Sequence, residues 1–296
     1  MRPATLRNSG GVTPRVRVSR TRVATAHVLL LAASGLMLVP FIWLLCASLR
    51  PADAFFQDLF LPTRDGHVAF DLLTLASFER LFDMAGFGRS LLNSIFLSST
   101  TAILGTLVAA MGGYALARFR FRGSKACTVL VLAAVTIPGP LLMAPGYQFL
   151  YRLGLLDSFW GVILPAIAPA FGVFLFRQAI LSAVPQELLE AARLDGSGEV
   201  NTFFVVALPL VRPMVATFLM IMFLGTWNNF VGPQVVLQTP EKFPLSVAIA
   251  QLKSTYYQDY GLQMAGTLVS IVPVLILFMF LQREFVDGLA AGAVKE

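Results

Sequence analysis

Charge is what this 296-residue chain has least of. Asp, Glu, Lys and Arg make up 13% of it, against about 25% in an ordinary soluble domain. Histidine occurs twice, as His27 and His67, and cysteine twice, as Cys46 and Cys127. No metal-ligand cluster and no nucleophile–base set is evident, so the sequence calls for neither a catalytic residue nor a cofactor. Both cysteines fall inside apolar runs and read as small fillers. The Gly-x-x-x-x-Gly-Lys-Ser/Thr phosphate loop is missing as well, which excludes nucleotide hydrolysis by that route.

The few charges are segregated. Six windows hold no Asp, Glu, Lys or Arg over 19 or more residues: 23–49, 90–117, 126–151, 158–176, 213–240 and 260–282. Crossing a hydrocarbon core takes about 20 apolar residues. A soluble protein with six such windows would have almost no wettable surface. The reading is an all-α membrane protein with spans near 27–49, 91–117, 126–149, 159–176, 214–237 and 263–282. Residues 1–25 form a disordered basic tail, and 26–296 form one six-span domain.

Lys and Arg set the expected orientation. Residues 1–22 carry six Arg and no acid, and Arg118, Arg120, Arg122 and Lys125 cluster after the second span. Alternation then puts the N-terminus, the 118–125 and 177–212 loops and the C-terminus in the cytoplasm. The net charge of +6 reports that orientation; a nucleic-acid reading of it is the poorer one. A signal peptide fits less well, because its apolar core runs about 7–15 residues and this first window is longer.

Within the spans the composition suggests a pathway. Pro138-Gly139-Pro140 and Pro145 interrupt the third, Pro165 and Pro169 the fourth, and Pro273 the sixth. Such breaks survive in a membrane where neighbours or water re-satisfy the carbonyls. Ser98, Ser99, Thr100, Thr101, Gly105, Ala109, Gly112 and Gly113 would let the second helix approach its neighbours closely. No charged residue lies in a span, so ion coupling through side chains is disfavoured. Energy for active transport would come from another chain.

The 177–212 loop is the most legible segment. Pro185 suits a helix start and Gly196 the left-handed residue that ends one. Leu188, Leu189 and Ala192 give a small apolar face, flanked by Glu187, Glu190 and Arg193. A second helical stretch over 199–208 is stopped by Pro209. Two short helices would make a knob in which Ala191 and Ala192 let a partner sit close. An interfacial helix lying on lipid is the alternative.

Glu190-Ala191-Ala192-Arg193-Leu194-Asp195-Gly196, with Leu208-Pro209 and Pro213 downstream, resembles the E-A-A-x-x-x-G loop of ABC importer permeases. Val206 stands where that family has Ile, and Ser197 where it commonly has Ala. Gly225-Thr226-Trp227-Asn228-Asn229-Phe230-Val231-Gly232-Pro233, Phe243-Pro244-Leu245, Met264-Ala265-Gly266 and the run 282–295 look like the maltose-type carbohydrate importers. The resemblance covers most of the chain from about residue 28 and is weakest over 50–89.

The resemblance implies a type I importer of a bacterial inner or plasma membrane. Two permeases, as a heterodimer, would form the pathway. Two ABC ATPase subunits would hold the knobs, and an extracytoplasmic binding protein would deliver a sugar. Glu190, Ala191, Ala192, Asp195, Gly196 and Pro209 would couple to the ATPase, with Glu190 meeting a basic group. Trp227, Asn228 and Asn229 would face the pathway, because amides donate and accept to sugar hydroxyls; the alternative is an interfacial Trp with helix–helix amide bonds. A non-sugar importer permease, or an ion-coupled secondary transporter, is the competing reading.

Overall fold

Helix α3 (Phe87–Arg118) organises the bundle. At 1.5 Å per residue its 32 residues reach about 48 Å, more than a bilayer core requires. Its buried face runs through Ser90, Ser94, Ser98, Thr101, Gly105, Ala109 and Gly113 at helical spacing. Leu92, Phe96 and Ile103 are exposed on the outside. Small and polar residues thus predominate on the buried face, joined by Phe87, Leu97 and Tyr114, as expected where backbone approach drives helix association.

The computed structural model describes residues 20–51, 59–64, 67–84, 86–252 and 259–293, and side chains as far as 284. In chain order come α1 (Arg20–Ser48), a two-stranded antiparallel pair β1 (Thr63–Arg64) and β2 (His67–Val68), and α2 (Ala76–Asp83). After α3 follow α4 (Ser124–Thr136), α5 (Met143–Arg152), α6 (Phe159–Ala166) and α7 (Ala170–Ala183). The remaining helices are α8 (Gln186–Leu194), α9 (Glu199–Thr202), α10 (Leu208–Leu210), α11 (Arg212–Trp227), α12 (Val231–Val236), α13 (Leu245–Gln251) and α14 (Tyr260–Ala293). In the strand pair Thr63 lies opposite Val68 and Arg64 opposite His67.

Among the described residues, α1, α3 and α14 are each long and apolar enough to cross a membrane. Three bent pairs qualify jointly: α4 with 139–152, bent by 99°; α6 with α7, bent by 42°; and 199–210 with α11, bent by 87°. The bundle crosses six times if each pair counts once. Proline alone does not explain the bends, since Pro40 and Pro273 sit inside unbroken helices. In Pro138-Gly139-Pro140, Ile137 and Pro138 are both extended, with ψ of 119° and 126°, and the helix stops.

Three boundaries differ most from the sequence expectation. The helix of the fourth span, expected to end at 176, continues to Ala183, so the first residues of the expected 177–212 loop belong to α7. α1 already begins at Arg20, inside the stretch expected as tail; residues 1–19 lie outside the described residues. The fifth span, expected unbroken over 214–237, ends at Trp227 and resumes at Val231. Gly225, Asn228, Asn229 and Gly232-Pro233, all poor helix formers, account for that break.

Two cores hold the helices. One joins Ala109, Ala110 and Tyr114 of α3 to Phe176, Ile180, Leu189, Phe203 and Phe218. The other joins Phe87 and Ala102 to Leu81, Phe223, Trp227, Leu245 and Ala265. In the first, α3 meets α7 at backbone distance: a Cβ on Gly113 would lie 2.6 Å from Phe176 Cβ and 2.7 Å from the Arg177 nitrogen. On α7, a Cβ on Gly172 would overlap the Phe218 ring and lie 2.9 Å from Ala109 Cβ.

Candidate functional site

The knob expected over 185–209 is present and tied into the bundle. α8 starts after extended Pro185 and ends at Asp195. Gly196 then takes φ +82°. The Ser197 N–H donates to the Ala192 carbonyl at 2.9 Å and the Gly196 N–H to the Arg193 carbonyl at 3.0 Å. This pair of bonds is the Schellman closure, which needs a left-handed residue at this position. Ser197, of little consequence on the sequence reading, accepts hydrogen bonds from Asn201 Nδ2 at 2.9 Å and Thr202 Oγ1 at 3.0 Å.

One residue of α8 faces inward. Leu189 is buried against Val184, Phe203 and Ala207, whereas Leu188 is 46% and Leu194 89% exposed. The apolar face expected from Leu188, Leu189 and Ala192 is therefore split, with Leu189 anchoring and Ala192 half-buried. Glu190 and Ala191 are exposed. Within the chain Glu190 accepts from Gln186 Nε2 at 2.8 Å, and the loop's ion pair uses another acid. Arg193 Nε donates to Glu199 Oε1 at 2.7 Å, and the Tyr114 hydroxyl of α3 donates to Glu199 Oε2 at 3.3 Å. Glu199 thus ties the end of α8 to a spanning helix.

Past Thr202 the chain widens into a π-helical turn, Phe203–Ala207, in which the Leu208 N–H reaches the Phe203 carbonyl. Pro209 has no N–H to donate and its ring would clash with the carbonyl four residues back. The wider turn absorbs that clash, and the chain bends at Val211 into α11. Arg118, noted in the sequence only for its charge, donates from one guanidinium nitrogen to the Ile180 carbonyl at 2.9 Å and also to that of Val184. It thereby caps α7, whose last carbonyls have no helical partner. Arg212 pairs with Glu284 of α14 at 2.8 Å. The knob, the end of α3 and the late part of α14 thus gather at one end of the bundle.

At the other end, the pieces of the broken spans are clasped together. Asn93 Nδ2 donates to the carbonyls of Glu241 (2.9 Å) and Phe243 (3.1 Å), and the Leu245 N–H donates to Ser94 Oγ at 2.7 Å. This accounts for Phe243-Pro244-Leu245, whose turn is held by α3. Asp157, which the sequence does not single out, accepts from the Gln238 and Thr239 N–H groups at 3.0 Å each and from Lys242 Nζ at 2.8 Å. Lys242 and Thr239 hold its carboxyl well below the usual carboxylate range.

A depressed folded value stabilises above the unfolded value, about 3.9 for Asp, and that contribution is lost as pH falls through the folded one. Asp157→Asn should therefore unfold at lower temperature than the parent chain at pH 7, with the gap narrowing below about pH 4. Thermal unfolding in detergent across that range checks this; a gap constant with pH would contradict it.

The three residues expected on a pathway divide between two cavities. Trp227 is 6% exposed, with its ring stacked on Phe223 at 5.5 Å, and with Asn228 it lines a small cavity beside Ser246 and Ser270, while Asn229 lines another. Asn228 Nδ2 donates back to the Leu224 carbonyl at 3.0 Å. Asn229 Oδ1 accepts from the Gly232 N–H at 3.1 Å. Both amides are exposed. Among the described residues no group of three or more His, Cys, Asp or Glu could hold a metal ion.

The described residues thus form a mostly helical bundle with long apolar helices, bent helix pairs and a structured knob at one end. The family model for the inner membrane component of binding-protein-dependent transport systems matches residues 102–289, and the chain belongs to that family. It is 38% identical over 265 residues to the arabinooligosaccharides transport system permease protein AraQ of Halalkalibacterium halodurans, a match covering 86% of this chain and 90% of that protein. It is 31% identical to the lactose transport system permease protein LacG of Rhizobium radiobacter, over 89% of this chain and 93% of that one. A chain of a bacterial ABC transporter involved in the import of the acidic polysaccharide alginate superposes with a TM-score of 0.77 at 25% identity. That match covers 92% of this chain and all of the other.

Proposed function

We propose that this chain is one permease of an ATP-driven, binding-protein-dependent sugar importer, coupled to its ATPase through the 185–209 knob. The observation that carries the reading is the knob itself. It is closed at Gly196, braced to α3 by Tyr114, Glu199 and Arg193, and presents Glu190, Ala191 and Leu194 outward. A surface so fixed to a spanning helix transmits a push as rigid-body motion. Asp195 and Gly196 set its tip, and Pro209 sets the bend into α11. Arg193 is engaged by Glu199, which leaves the exposed Glu190 carboxylate available to a basic group of the ATPase. The sugar reading is supported by relatives named for arabinooligosaccharide and lactose transport.

On this reading two ATPase subunits hydrolyse ATP, and a second, non-identical permease completes the pathway. A binding protein delivers solute from outside, and this chain performs no chemistry of its own. Both termini lie in the cytoplasm of a cell with the complex in its inner or plasma membrane. The arginine distribution supports that sense.

The brace gives the test. Arg193 and Glu199 are half-exposed, so their pairing is worth about 0.2–1 kcal/mol. In the reconstituted importer, Arg193→Glu or Glu199→Arg alone should lower sugar uptake per ATP hydrolysed by about 2–5-fold, and the double exchange should restore most of it. Single variants indistinguishable from the parent would count against coupling through this brace.

A further inference from the structure

Residues beside three of the four interruptions of the crossing helices meet in one cavity, the 87° bend at Val211 lying apart from it. The cavity measures about 330 Å³, and Gly139, Gly146, Tyr147, Pro165, Asn229 and Gly232 are among its lining residues. Gly139 lies at the 99° bend after α4, Pro165 just before the 42° bend between α6 and α7, and Asn229 in the gap between α11 and α12. Irregular backbone at membrane depth is tolerated where protein buries it or where it lines a water-filled cavity. In transporters built from discontinuous helices, such convergence marks a solute site.

The lining has the chemistry for one solute class. It carries no charged side chain, so neither an ion nor a strongly ionic solute is favoured. Its walls are apolar, with an aromatic ring and two hydrogen-bonding side chains. Among the described residues the Tyr147 hydroxyl has no hydrogen-bond partner in the protein, and Tyr147 is 38% exposed. Asn229 Oδ1 is taken by the Gly232 N–H, while among the described residues its Nδ2 donors are not engaged. A sugar ring offers a C–H face to the aromatic ring and hydroxyls to the phenol and the amide. At 330 Å³ the cavity lies at the small end of the range for small-molecule sites, about 300–1,000 Å³. That size suits one ring rather than a whole oligosaccharide.

We propose that this cavity is a subsite for a single ring of the transported sugar, with Tyr147 and Asn229 as its polar contacts. The proposal rests on the sugar-import reading above and adds to it the place and the residues. Gly232 is part of the device, because a Cβ there would stand 2.9 Å from Asn229 Nδ2. At Gly146, by contrast, a Cβ meets nothing within 4 Å, so bulk can be added from the cavity wall.

The test uses the intact importer, with both permeases, ATPase and binding protein, in ATP-loaded vesicles. Two labelled disaccharides drawn from arabinobiose, lactose, melibiose and maltose are offered together and their uptake ratio is read. A ratio is insensitive to the amount of active complex. Tyr147→Phe keeps the ring, and Asn229→Asp keeps the acceptor for Gly232. Each should change at least one ratio by about 3–10-fold, the effect of one hydrogen bond. Gly146→Leu should stop uptake while the chain still co-purifies with its ATPase. Unchanged ratios in both polar variants, with uptake undiminished in Gly146→Leu, would leave the cavity to an acyl chain or a partner side chain and overturn the subsite. A parent importer that takes up neither these four nor any other mono- or oligosaccharide of a broad panel would overturn the sugar-import reading, and the subsite with it.

Discussion

Gly196→Val is expected to lower ATP-driven uptake by about 5–30-fold while leaving membrane insertion intact. Gly196 sits at φ +82°, and a Cβ at this position would meet nothing within 4 Å, so the effect is conformational rather than steric crowding. A side chain in the left-handed region costs about 1–2 kcal/mol, and that shifts a two-state population by about 5–30-fold. The state lost is the one in which Ser197 reaches the Ala192 carbonyl and turns the chain toward Glu199. Asparagine tolerates this region better, so Gly196→Asn should stay within about twofold of the parent. Uptake by reconstituted vesicles, with ATPase association followed by co-purification, separates the two. Equal uptake from the valine, asparagine and parent proteins would contradict a coupling role for the closed knob.

The largest effect on stability is expected where α3 crosses α7. Gly113→Ala should destabilise the protein by about 2–3 kcal/mol, at the upper part of the range for overpacking. The atoms its methyl would meet are Phe176 Cβ and the backbone at Phe176 and Arg177, none of which can swing aside. Its neighbour is an internal control. A methyl on Gly112 would meet only the Val173 side chain, at 3.2 Å, and should cost less than about 1 kcal/mol. Thermal unfolding of the two variants in the same detergent gives the comparison. Similar midpoints for both would mean that the two helices do not touch at backbone distance.

Which features are legible in the sequence follows from what each depends on. The knob's ends are readable because proline and glycine impose local backbone rules that hold wherever the chain goes. The close face of α3 is readable because small residues recur there at helical spacing. Asp157 is not, since its partners Gln238, Thr239 and Lys242 lie some eighty residues away and nothing local announces them. Arg118 stands out for its charge, yet its contacts are two carbonyls of another helix. The motif at 227–229 is visibly unusual, but its three residues divide. Trp227 enters the core, and Asn229 lines a cavity with Tyr147, which no sequence pattern marks. That division depends on the break after Trp227, and a charge-free window does not reveal whether its helix is continuous.

Whether the exposed knob docks on an ATPase or rests on lipid is decided most directly by photo-cross-linking. A photoreactive amino acid at Leu194, the most exposed apolar residue of the knob at 89%, would be activated in native membranes. Docking predicts a covalent adduct with an ATP-hydrolysing subunit, whose yield changes when ATP is added. Adducts with lipid alone, at every nucleotide condition, would contradict it.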